Sequence, residues 1–162
     1  MIEKDGKDGF ELLFKFKFTV PKEYNEETHL ASFSKKRRGN FWSYSGAINN
    51  RNFKATELVS GKTYTVKIFE INRRVTSKDC LDFLKTQKAM LVGPWGLSLL
   101  WECQDQKEKF PITGWMISFD EKNARMKGAV SAIGRYEAMN WVFVHGNLKD
   151  DHIGRYLLCF CE

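Results

Sequence analysis

Residues Phe10 to Val20 alternate so regularly between apolar and polar that they commit the chain to a β-sheet. Phe10, Leu12, Phe14, Phe16, Phe18 and Val20 hold one phase of the pattern, and Glu11, Leu13, Lys15, Lys17 and Thr19 the other. Successive side chains of a strand point to opposite faces, so apolar positions at this spacing predict one buried face. Pro21 ends the element, since proline has no N–H to give to a ladder. Lys15 and Lys17 on the outward face read as edge or surface protection.

The remaining segments build on that strand. Residues 21–40 are polar, mixed in charge and loop-like, and Phe41 to Ala47 is a short strand followed by a turn at Asn49-Asn50. Phe53–Val59 and Lys62–Ile71 flank Ser60-Gly61, which predicts a hairpin. Tyr64, Val66 and Ile68 alternate before Phe69 and Ile71 change phase, as expected of a bulge or of a strand buried on both faces. Thr76 to Lys88 reads as a helix, with a hydroxyl cap, an early carboxylate at Asp79 and the stripe Cys80, Leu81, Phe83, Leu84. A second helix is expected over 95–108, because Pro94 suits a helix start and Leu97, Leu100, Trp101 and Gln104 have helical spacing. Strands are expected at Gly114–Phe119, Ala129–Ile133, Asn140–Val144 and Arg155–Cys161.

This order predicts an α+β fold. The expectation is a single compact domain over residues 10–162, preceded by a flexible segment 1–9. A mainly antiparallel, twisted sheet of about six strands would carry helices 76–88 and 95–108 on one face. An aromatic share of 14% excludes a disordered chain. No apolar run reaches the length of a membrane span, and the charged first nine residues show no signal-peptide pattern, so the expected location is cytoplasmic without a membrane partner. In that compartment Cys80, Cys103, Cys159 and Cys161 are expected as thiols.

Lys35, Lys36, Arg37 and Arg38 form an unbroken cationic row, and Phe41, Trp42 and Tyr44 follow within six residues. Cations attract phosphate and flat rings stack on bases, so this segment is a candidate contact for RNA or DNA. It also fits a solvated loop leading into a core strand. The net charge of +6 does not decide between them, because residues 1–60 and 61–162 contribute equally to it.

Gly93-Pro94-Trp95-Gly96 is similar to the Gly-x-x-Gly loop of KH domains, where small residues let backbone amides reach phosphates. The chain departs from that family by placing Pro94 and Trp95 where a cation is usual, and by ending in strands where the family has a helix. A helix cap with a tight turn accounts for the same residues. Cys159 and Cys161 with His145 and His152 would suit zinc, yet the apolar strand around the cysteines reads as core, so no metal or cofactor is assigned. Asp120-Glu121-Lys122 is an acid-x-lysine pattern that suits a metal-dependent nuclease, and it recurs as Asp5-Gly6-Lys7 and Asp105-Gln106-Lys107. His145, Asp150, Asp151 and His152 would supply acid–base groups, or an ordinary turn.

The reading that follows is a non-catalytic interaction protein of adaptor, inhibitor or immunity type. It would bind another protein through aromatic anchors such as Trp42, Trp95 or Trp115. The alternatives are nucleic-acid binding through residues 35–44 and, third, a metal-dependent hydrolase or nuclease using Asp120, Asp150, Asp151 or His145.

Overall fold

The computed structural model describes residues 9–102, 114–121, 129–136, 140–147 and 152–162. Its strands are β1 (Phe10–Thr19), β2 (Phe41–Tyr44), β3 (Thr63–Ile71), β4 (Gly114–Ser118), β5 (Ala129–Tyr136), β6 (Asn140–Asn147) and β7 (Tyr156–Cys161). Its α-helices are α1 (Glu26–Arg37), α2 (Ser77–Thr86) and α3 (Gly93–Glu102). The α+β class holds, but the sheet is larger and less regular than expected. Among the described residues it has seven strands, in the order β1-β3-β7-β4-β5-β6-β2. The β7–β4 and β6–β2 pairs are parallel and the other neighbours antiparallel, so the sheet is mixed.

The helices do not share one face. Consecutive strand residues alternate between two apolar clusters: Met116, Leu158 and Phe160 join one, and Ile117, Leu157 and Cys159 the other. Helices α1 and α3 supply Leu30, Phe33, Trp95, Leu97 and Leu100 to the first, whereas α2 supplies Cys80 and Leu84 to the second. Sheet residues are thus covered on both sides, which explains why Ile68 and Phe69 are both buried. Helix α3 is buried along its first eight residues. It begins two residues earlier than the predicted 95–108, and residues 103–108 lie outside the described residues.

The single buried face predicted for Phe10–Val20 is also broken. Leu12 pairs with Phe69 but Phe14 pairs with Ile68, so Leu13 is the extra residue of a β-bulge. Phe10 and Leu12 therefore join the α2 cluster, while Phe16, Phe18 and Val20 pack on the other side. The antiparallel partners of β3 are β1 and β7, not residues 53–59, which form no strand. Gly61, at φ +75°, makes the turn that the Ser-Gly pair signalled, but it hands the chain to Val20: Gly61 N–H donates to the Val20 carbonyl at 2.9 Å.

Residues 21–40 hold the largest departure, the helix α1. Asn25 caps it, accepting from the Glu27 and Thr28 amides at 2.9 and 3.2 Å. Glu26 and Glu27 lie in its first turn and Lys35, Lys36 and Arg37 in its last, the arrangement that the helix dipole favours. Because β1 and β2 are opposite edges of the sheet, α1 is the crossover that carries the chain from one to the other. Among the described residues no helix is long and apolar enough to cross a membrane.

Candidate interaction surface

The cationic row ends α1 and continues into a 3-10 turn, Arg38–Asn40, which delivers the chain to the edge strand β2. The expected loop into a strand is thus a helix into a strand. Lys35, Lys36 and Arg38 are exposed. Arg37 is partly withdrawn, with Nε 3.3 Å from Glu102 Oε1 at the end of α3. The Arg38 guanidinium lies over the Tyr44 ring, 5.7 Å from its centroid.

The three rings of the segment have different fates. Phe41 is buried against Phe33, Trp101 and Phe143. Tyr44 is half-buried beside Phe143, and burial pushes its phenol up to about 12. Trp42 is 69% exposed, the most exposed large apolar side chain among the described residues. The register explains the contrast: Phe41 pairs with Trp141 and Ser43 with Val142, so Trp42 is the extra residue of a bulge. The bulge lets Phe41 and Tyr44 both reach the core while Trp42 stands out.

Neither other expected tryptophan anchor is presented this way. Trp95 is 3% exposed in the first turn of α3, with its Nε1–H donating to the Glu26 carbonyl at 2.9 Å. Trp115 is half-buried against the α2 cluster. The Gly93–Gly96 stretch is not a phosphate-cradling loop, since all four residues are buried at the start of α3. Its glycines serve close packing: a Cβ at Gly93 would sit 3.0 Å from that of Asp120, and one at Gly96 would collide with Val92.

The described residues among the candidates for chemistry are engaged in fastening the fold. Asp120 Oδ2 accepts from the Lys54 amide at 3.0 Å, and burial raises its carboxyl above the ordinary value. Glu121 Oε1 accepts from the Thr56 hydroxyl at 2.7 Å. His145 Nδ1 lies 2.8 Å from Ser45 Oγ, just beyond β2. His152 is fully buried, with Nε2 2.6 Å from Ser77 Oγ at the start of α2 and Nδ1 2.8 Å from Arg155. Arginine only donates, so His152 Nδ1 accepts and its Nε2–H is directed at Ser77. The structure therefore does not bring the two histidines together. Asp5, Lys7, Asp105, Lys107, Lys122, Asp150 and Asp151 lie outside the described residues.

Cys159 is buried beside Cys161, their sulfurs 3.5 Å apart as thiols on the α2 side. Burial is the largest cause raising the Cys159 thiol, followed by its neighbour Cys161. Among the described residues no three His, Cys, Asp or Glu side chains are grouped to hold a metal ion.

Compared with protein-family models, curated proteins and solved structures, the chain matches none.

Proposed function

We propose that this chain is a non-catalytic interaction protein that holds a partner protein at the β2 edge. Trp42 would be the anchor, and Lys35, Lys36 and Arg38 a cationic rim. The single observation that carries this is the bulge that presents Trp42 at 69% exposure on a terminal strand. A large rigid ring is the kind of side chain that dominates interface energetics, and charges around it tune approach and choice of partner. An acidic partner surface suits this rim.

Nucleic-acid binding draws less support from the same geometry. Sequence-tolerant binding of single strands uses several rings as successive stacking faces. Here Phe41 is buried and Arg38 lies over Tyr44, leaving Trp42 as the presented ring of the segment. Arg37 is already committed to Glu102. Titration of a labelled mixed-sequence single strand tests the alternative. Protein binding predicts no saturable anisotropy change at low salt. A complex that weakens steeply with salt, and less steeply after neutralising Lys35, Lys36 and Arg38, would replace this proposal with the nucleic-acid one.

A further inference from the structure

A cavity of about 560 Å³ opens where the first turn of α1 meets the first turn of α3 and the segment after β2. Glu26, Glu57 and Trp95 line it, with Arg51 and Lys54 exposed at its rim. We propose that this cavity binds an organic cation, an alkylammonium or a guanidinium group, between Glu26 and Glu57 against the Trp95 wall. The site is separate from the Trp42 surface and does not depend on it.

Four observations converge on a cation. Glu26 Oε1 is enclosed and accepts no hydrogen bond from the protein. Such an acceptor is costly to leave without a donor, and a charged donor is its strongest partner. Neither Glu26 nor Glu57 forms an ion pair with Arg51, Lys54 or any other described residue, so neither carboxylate has a cation in direct contact. The Trp95 Nε1–H is engaged by the Glu26 carbonyl, so the largely buried indole gives the cavity a narrow apolar wall and no donor for an anion. Burial, with Glu57 and Glu121 adding repulsion, holds the Glu26 carboxyl up at about 7, a strain that a cation would relieve.

The size and spacing favour an organic group over a metal. Among the described residues no three carboxylate, imidazole or thiol side chains are grouped as a metal ion requires. The volume is that of a small-molecule pocket or of an inserted side chain. The ligand can therefore be a free amine or a lysine or arginine side chain of a bound peptide.

Butylammonium chloride is the probe, followed by the Trp95 indole and Glu57 amide resonances at about pH 8, where Glu26 is largely ionised. The expected result is saturable shifts with a Kd on the order of millimolar, weakened at least about tenfold in Glu26→Gln. Glu57→Gln, at an exposed position, gives the same loss without relying on a substitution in the first turn of α1. Butanol giving the same shifts, binding unchanged in both variants, or no saturation by about 50 mM would overturn the proposal. A blocked Gly-Lys-Gly peptide distinguishes the sources. Tighter binding than butylammonium identifies a partner's side chain, equal or weaker binding a free amine, and either result supports the cation site provided that Glu26→Gln abolishes it.

Discussion

The Arg38 guanidinium rests over the Tyr44 ring, 5.7 Å from its centroid, so one cation of the row is tied to the strand that displays Trp42. This contact couples the end of α1 to the sheet edge. The adjacent residues Phe41 and Trp42 then divide the work: one ring holds the strand to the core and the other faces outward. Phe41→Ala is expected to lower unfolding free energy by about 3 kcal/mol or more, as for a buried aromatic. Trp42→Ala is expected to change it by less than about 0.5 kcal/mol. Urea unfolding of the two variants checks the division, and a large loss from Trp42→Ala would assign that ring to stability instead.

His29 and Glu26, one turn apart in α1, are expected to give opposite pH dependences. Burial is the main cause lowering His29 from 6.5 to about 4. Its Nε2 lies 2.8 Å from Ser98 Oγ, and the Ser98 hydroxyl donates to the Pro94 carbonyl at 2.7 Å, so Nε2–H is the donor between them. The unfolded chain binds this proton more readily, so stability from His29 is present above 6.5 and is lost as pH falls towards 4. Glu26 is raised from 4.5 to about 7, so its contribution is full below 4.5 and is lost as pH rises through 7. Urea midpoints across this range should show His29→Gln resisting acid better than the native chain. Glu26→Gln should gain stability near pH 8 and lose that gain at acid pH. Parallel profiles for all three proteins would refute the assignments.

The Asn25 cap satisfies two amides at the start of α1. Asn25→Ala should therefore cost about 1 kcal/mol and reduce helical ellipticity. Lys35→Gln with Lys36→Gln should cost only a few tenths, because these residues complement the dipole at the other end. Chemical denaturation followed by circular dichroism separates the two. If the lysine pair costs as much as the cap, their role is structural and the rim loses its meaning.

The strands were legible because alternation survives in sequence, as in Tyr64-Val66-Ile68 and in the apolar run ending at Cys161. Helix α1 was not, because Leu30 and Phe33 alone among its residues are buried, which leaves almost no apolar periodicity. Its signal was charge polarity, Asn25-Glu26-Glu27 at one end and Lys35-Lys36-Arg37 at the other. The 53–59 hairpin failed because the Ser60-Gly61 turn is real but serves β1, a pairing that joins Phe10 to Ile71. The fates of Phe41 and Trp42 were beyond sequence for a related reason. A single bulge decides which ring of a four-residue strand faces the core, and the bulge depends on register with β6.

The most direct test is calorimetric titration of a purified protein partner, identified by capture on the immobilised native chain, into the native chain and into Trp42→Ala. The account predicts that removing this ring weakens the complex by at least about thirtyfold, the loss of a true anchor, with the fold intact. Equal affinity for both chains would contradict it.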